Sequence, residues 1–137
     1  MARNVIGLMI GMAGAFFLYW TLQSVNQFLA PAPEDLTMDD VQGMKEYYNS
    51  IPRTVHMVVL ASHALGALLA GFLAAKIGEY PNPLLPYTIG GFLMLMAIIR
   101  MIVVPLPVWF MITDVIVHIP CALVGYRLGW AKIKNGA

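Results

Sequence analysis

The sequence predicts an all-α fold: a bundle of four membrane-spanning helices with a short amphipathic helix on one surface. Three observations carry this. Only 11% of the residues are charged, against about 25% in an ordinary soluble domain. Mean hydropathy is high, at +0.75. Four apolar stretches, near residues 5–29, 52–76, 85–104 and 107–131, are each long enough to cross a bilayer, which takes about 20 residues. A chain of 137 residues has room for one such membrane domain.

The first stretch is expected to be a retained helix rather than a cleaved leader. Its apolar core, Val5 to Trp20, exceeds the length of a signal-peptide core, and Pro31 disfavours cleavage at Ala30-Pro31-Ala32. Pro31-Ala32-Pro33 ends this helix and extends the chain. Within the loop at 30–51, Met38 to Asn49 reads as a short surface helix, because Met38, Val41, Met44 and Tyr48 recur at helical spacing. Thr37 and Asp40 resemble a capping box with Asp in place of Glu.

Pro52 suits the first turn of the second span. A short loop at 77–83, holding Gly78, Pro81 and Pro83, leads to the third span. The turn Pro105-Leu106-Pro107 leads to the fourth. Such short connections imply that spans two and three, and three and four, are antiparallel neighbours. No internal repeat or discontinuous-helix pattern is present.

Charge sets the expected orientation. Arg3, Lys76, Arg127, Lys132 and Lys134 gather at one side, whereas the loop at 30–50 carries Glu34, Asp35, Asp39, Asp40 and Glu46 against Lys45. Cytoplasmic loops collect Lys and Arg, so both termini are expected in the cytoplasm and the acidic loop outside. Tyr47, Tyr48 and Trp109 then fall near the outer interface, Tyr126 and Trp130 near the inner one.

Several function classes find no support. The net charge of +1 offers nothing for nucleic acid. The single Cys121 excludes an internal disulfide and any CxxC motif. No phosphate-binding glycine loop or nucleophile elbow appears, so the chain leans away from being an enzyme.

Small residues mark the faces where membrane helices approach closely. Gly7, Gly11 and Gly14 share one face of the first span. Gly66, Ala67, Ala70 and Ala74 lie in the second with His56 and His63. Gly125 and Gly129 continue the face of Asp114, His118 and Cys121 in the fourth. Gln23, Asn26 and Gln27 form a secondary polar patch about 140° around the first helix from its glycine stripe.

Four ionisable side chains fall inside the apolar stretches: His63, Arg100, Asp114 and His118. Such groups are costly in a bilayer and mark partners, cavities or pathways. At 1.5 Å per residue, Arg100 lies about 6 Å and Asp114 about 10 Å from the outer end of its span. The plainer expectation is that they pair across the tight turn at 105–107; the alternative is a charged pocket that binds an anion, a lipid headgroup or a proton. His63 and His118 both fall near 16 Å depth, at the midplane. Asp114, one turn from His118, could hold that imidazole by a hydrogen bond and set its tautomer. His56 sits above His63, near the boundary.

The cluster leaves alternatives open. Interhelical hydrogen bonding is the plainest. His63 and His118 could also ligate a b-type haem. With Asp114 they could hold a divalent metal such as zinc or iron. A proton relay through Asp114, His118 and His63 is a further alternative.

Finally, the stretches His63-Ala64-Leu65-Gly66 and Pro105-Leu106-Pro107-Val108-Trp109-Phe110, followed by Asp114, Pro120 and Gly125-Tyr126-Arg127-Leu128, carry a resemblance. In their order, and in the Pro-rich loop after the first helix, the chain resembles a widespread family of small uncharacterised bacterial four-span integral membrane proteins. The resemblance implies a bacterial inner-membrane location and singles out His63 and Asp114. It supplies no substrate.

Two functional expectations follow. One is a non-enzymatic accessory or structural subunit that packs against the bilayer, other membrane subunits or a second copy of itself, with no cofactor. It draws on the small size and on the glycine face of the first span. The other is a site-bearing protein, either a haem or metal binder or a proton-coupled small-solute carrier, built on His63, Arg100, Asp114 and His118.

Overall fold

A computed structural model describes residues 2–37, 39–79 and 81–134, with the side chains of 132–134 left out. Met38, the expected start of the surface helix, and the side chains of Lys132 and Lys134, two of the orientation markers, lie outside the described residues.

The described residues form five helices and no strands: α1 (Ala2–Leu29), α2 (Val41–Ser50), α3 (Arg53–Ile77), α4 (Leu84–Val103) and α5 (Val108–Lys134). Four of them, all but α2, are long and apolar enough to cross a membrane. The fold is the expected all-α bundle of membrane helices with one short additional helix.

Local chemistry sets the helix ends. Pro31 and Pro33 follow α1. Pro52 immediately precedes α3, its fixed φ leading into the helix. The expected capping box is replaced by a simpler cap: Asp40 is itself the N-cap of α2, its carboxylate accepting from Gly43 N–H at 2.9 Å. Thr37 makes no such side-chain bond, because the helix starts at Val41 rather than near Met38. Pro120 lies inside α5 and removes one helix hydrogen bond.

Packing follows the small residues more than the loop lengths. The closest pairs are α3 with α5 and α1 with α3, then α4 with α5, while α3 barely meets α4. The second and third spans are in contact, as expected, but through a smaller seam than those of α3 with α5 and α1. The loop between them holds α4 near, but the intimate seams form where backbones can touch. A Cβ at Gly7 or Gly11 would collide with the α3 backbone at Ala74 and Ala70. A Cβ at Gly125 would overlap the Leu68 carbonyl, and one at Gly129 would meet Phe72 and Ala75. Two further glycines complete the pattern: Gly71 lies on Ala122 and Gly90 on Ile119. Gly14 faces Leu69 and Leu73 side chains, and Gly66 lies under the Tyr19 ring. Without hydrophobic drive in lipid, such close packing is what holds membrane helices together.

The result is a central α3–α5 pair with α1 against α3 and α4 against α5. At the end away from α2 the loop is tied down twice. Asn4 Oδ1 accepts from Glu79 N–H at 2.9 Å, and Tyr126 Oη accepts from Asn82 N–H at 2.8 Å. At the other end Tyr47 donates to the Ala30 carbonyl at 2.7 Å, holding α2 over the α1 terminus. Burial and the neighbouring Tyr48 raise the Tyr47 phenol above its ordinary pKa, so the donor stays protonated.

Candidate functional site

The four intramembrane ionisable residues converge where α3, α4 and α5 meet. α3 supplies His63, α4 supplies Arg100, and α5 supplies Asp114 and His118. Asp114 and His118 are each 2% exposed, and the His63 side chain is 12% exposed.

Their connections differ from the expected ones in two respects. Arg100 and Asp114 do not pair directly. Instead His63 stands between them: Nδ1 is 2.5 Å from Asp114 Oδ1, and Nε2 is 3.4 Å from Arg100 Nη1. Arg100 and Asp114 lie near each other across the hairpin, but α3 inserts an imidazole between α4 and α5. Nor does Asp114 hold His118. Its carboxylate is committed to His63, and His118 Nδ1 is buried with no hydrogen-bond partner of good geometry, its nearest acceptors being the Asp114 and Val115 carbonyls.

Chemistry assigns the protons. An ionised Asp114 only accepts, so His63 Nδ1–H donates to it. That leaves Nε2 with a lone pair, which accepts from Arg100. The chain Asp114–His63–Arg100 is thus an ion pair extended by one neutral ring, in which each charge is partly compensated. The guanidinium also lies over the Phe110 ring, 5.8 Å from its centroid.

Tyr19 belongs to the site and escaped the sequence reading. Its hydroxyl donates to the His63 carbonyl at 3.2 Å, and its ring stands 4.8 Å from the His63 ring. It approaches because Gly66, one turn along α3, has no side chain to keep it off. A polar aromatic in mid-span opposite a Gly one turn from a His was the available signal. On the other side, the His118 ring centroid lies 5.8 Å from that of His63.

The cluster is reached from the side of the bundle. A cavity of about 440 Å³ runs between α1 and α4, walled by Phe16, Tyr19, Trp20 and Met96, with His63, Arg100 and His118 at its polar part. Trp20 is 70% exposed, so the opening faces the surroundings of the bundle, which in a bilayer are lipid chains. Searches for relatives return nothing: no protein-family model, curated protein or solved structure matches this chain.

The secondary polar residues gather elsewhere. Gln23, Asn26, Gln27 and His56 line a smaller cavity of about 50 Å³ beneath α2, with Tyr47, Tyr48, Val59 and Arg100. His56 Nδ1–H donates one weak contact to the Pro52 carbonyl at 3.4 Å, and the ring packs edge-on against Trp109 and Phe110.

As a metal site, one ligand atom each from His63, Asp114 and His118 lies within 4.8 Å of the others. Tetrahedral zinc at about 2.0–2.1 Å from nitrogen spaces its ligands by about 3.3 Å. The His63–Asp114 contact is already closed to a hydrogen bond, and Arg100 holds a positive charge against His63. An ion would have to break the first and sit beside the second. Haem is served no better, since both nitrogens of His63 are engaged. The arrangement is best suited to holding and passing protons, and to offering Arg100 to an anion.

Proposed function

We propose that the chain is a multi-pass protein of the bacterial inner membrane, with cytoplasmic termini, that takes a lipid-soluble molecule bearing a carboxylate or phosphate head into the cleft between α1 and α4. This is the site-bearing reading, as a binder or carrier, with no metal or haem.

One observation carries it. Arg100 borders the cleft, and among the described residues its guanidinium makes a single hydrogen bond, to His63, and no direct ion pair. A guanidinium presents five N–H donors in a planar fork matched to carboxylate and phosphate. The aromatic and aliphatic walls at Phe16, Trp20 and Met96 suit an apolar tail. The accessory-subunit reading drew on the glycine stripe of α1, and that stripe is occupied by α3.

Because Arg100 and Asp114 already offset each other, an anionic head leaves one negative charge in excess in a low-dielectric site. Protonation of His63 restores neutrality, so binding is expected to draw a proton with the ligand.

Trp20 reports the test. In nanodiscs, a Trp109→Phe/Trp130→Phe background leaves it the sole tryptophan. A brominated long-chain fatty acid and a brominated monoacyl phosphate are compared with the uncharged methyl ester of the acid. Saturable quenching by one or both anions, lost in Arg100→Gln, is expected, and which anion quenches names the head. Equal quenching by the ester, or an undiminished signal in Arg100→Gln, overturns the proposal.

A further inference from the structure

The cavity beneath α2 contains polar atoms that nothing in the protein satisfies. Asn26, 5% exposed, has neither its Nδ2 nor its Oδ1 hydrogen-bonded. His56, also 5% exposed, has a free Nε2. An unsatisfied buried polar atom costs about 1–3 kcal/mol, so three at one place call for a partner. The cavity's 50 Å³ exceeds the roughly 10–15 Å³ that one water needs, and it has the several polar partners such a water requires. A dry cavity would be lined by apolar groups.

Position gives this chamber a consequence. Arg100, Gln23 and Tyr48 line both it and the lateral cleft, and Val59, on its wall, is one α3 turn from His63. On the far side of His63 the path closes. There α3 and α5 meet backbone to backbone at Gly71–Ala122 and Gly125–Leu68, and α1 meets α3 at Gly11–Ala70 and Gly7–Ala74. Polar groups thus continue from His63 toward the α2 end, while toward the other end they are separated from His63 by backbone seams at Gly71, Gly125 and Gly11.

We propose that the chamber beneath α2 holds water and is the route by which protons reach His63 and Asp114, from the α2 face of the membrane only. This deepens the reading of the cleft as a proton-linked binding site by giving its proton a side. The groups facing His63 are Tyr19 from α1, Arg100 from α4, and Asp114 and His118 from α5, with Cys121 one turn beyond His118. Protonating His63 turns Nε2 from acceptor to donor and releases Arg100. The proton comes from water in the chamber and leaves a hydroxide there that exchanges with the α2-side solution, so no other reactant is needed.

The single native cysteine makes the test direct. In a Cys121→Ser background, Val59→Cys and Val55→Cys place near-isosteric thiols on the chamber wall. A membrane-impermeant thiosulfonate is added to vesicles of known orientation from one face, then the other. Labelling from the α2 face, and loss of labelling when the reagent is confined to the opposite face, is expected at both positions. Asn26→Leu in the same chains is expected to suppress labelling at position 59 by replacing the water's partners with hydrocarbon. Labelling from both faces, or none at either position in folded protein, overturns the proposal. Folding is checked by the monodisperse elution of each variant, and two probe positions guard against one failing to assemble. Trp20 quenching is read on the same cysteine variants carried in the Trp109→Phe/Trp130→Phe background: quenching without labelling rejects the chamber alone, and labelling without quenching rejects the ligand reading alone.

Discussion

Arg100 and Asp114 are joined through one imidazole: His63 bonds Asp114 at 2.5 Å with Nδ1 and meets Arg100 at 3.4 Å with Nε2. The arrangement lets two charges share a bundle interior without touching. It also places a titratable ring at the point where either charge can be released. A direct ion pair would be a static strut; a ring between the charges responds to protons.

The linkage predicts energetic coupling across the ring. Arg100→Gln and Asp114→Asn each leave the other charge uncompensated, so each single variant is expected to lower the thermal midpoint in detergent. The double variant is expected to lose less than the sum, with a coupling of about 0.5–3 kcal/mol. Strict additivity would show that His63 does not connect the two.

Backbone contact predicts the response of the glycines. A Cβ at Gly125 runs into the Leu68 carbonyl, whereas one at Gly91 meets nothing within 4 Å. Gly125→Ala is therefore expected to destabilise by about 1–3 kcal/mol, as overpacking does. Gly91→Ala is expected to be neutral or mildly stabilising, since Ala is the better helix former. Equal effects in a thermal-melt comparison would contradict the packing of α3 on α5.

These two cases show what the sequence made legible. Hydropathy and loop chemistry revealed the four spans within a few residues, because the bilayer imposes length and polarity directly. Helical periodicity placed His63, Asp114 and His118 on the small-residue faces, and the structure brings those faces together. Partner choice was not legible. Depth along a helix says nothing of rotation between helices, so Arg100 was paired with Asp114 when α3 supplies the ring between them. Tyr19 went unnoticed because a Tyr in an apolar span reads as filler until Gly66 is known to lie beneath it.

Tyr19 separates hydrogen bonding from packing. Its hydroxyl bonds the His63 carbonyl, while its ring covers Gly66 and stands on the imidazole. Tyr19→Phe keeps the ring and is expected to cost about 0.5–1.5 kcal/mol, one hydrogen bond. Tyr19→Ala is expected to cost about 3–5 kcal/mol and to leave His63 open to the cleft. Near-equal melts for the two variants would mean the ring does no packing there.

Metal binding offers a sharp contrast. Purified without chelator and analysed by mass spectrometry, the protein is expected to carry no stoichiometric zinc or iron, because Arg100 lies against His63 Nε2 and Asp114 is already bonded. Removing that positive charge with Arg100→Gln is expected to raise zinc affinity at His63, Asp114 and His118, whose ligand atoms lie within 4.8 Å of one another. A metal held at one per chain in the unaltered protein would refute the charge argument.

The final expectation concerns pH and fixes its sign. An anionic head beside Arg100 favours the protonated form of His63, since the added proton neutralises the charge the ligand brings. Ligand occupancy therefore raises the proton affinity of His63, and by reciprocity a protonated His63 raises ligand affinity. Binding followed by Trp20 quenching is expected to tighten as pH falls, and to weaken again only where the ligand head itself becomes neutral. His63→Gln keeps a side chain able to bridge Asp114 and Arg100 but cannot take up the proton, so it is expected to bind with a flat pH profile. His118→Gln should retain the slope, because the His118 ring bonds neither Arg100 nor the Asp114 carboxylate. A slope that survives in His63→Gln and vanishes in His118→Gln would move the coupled proton from the first ring to the second.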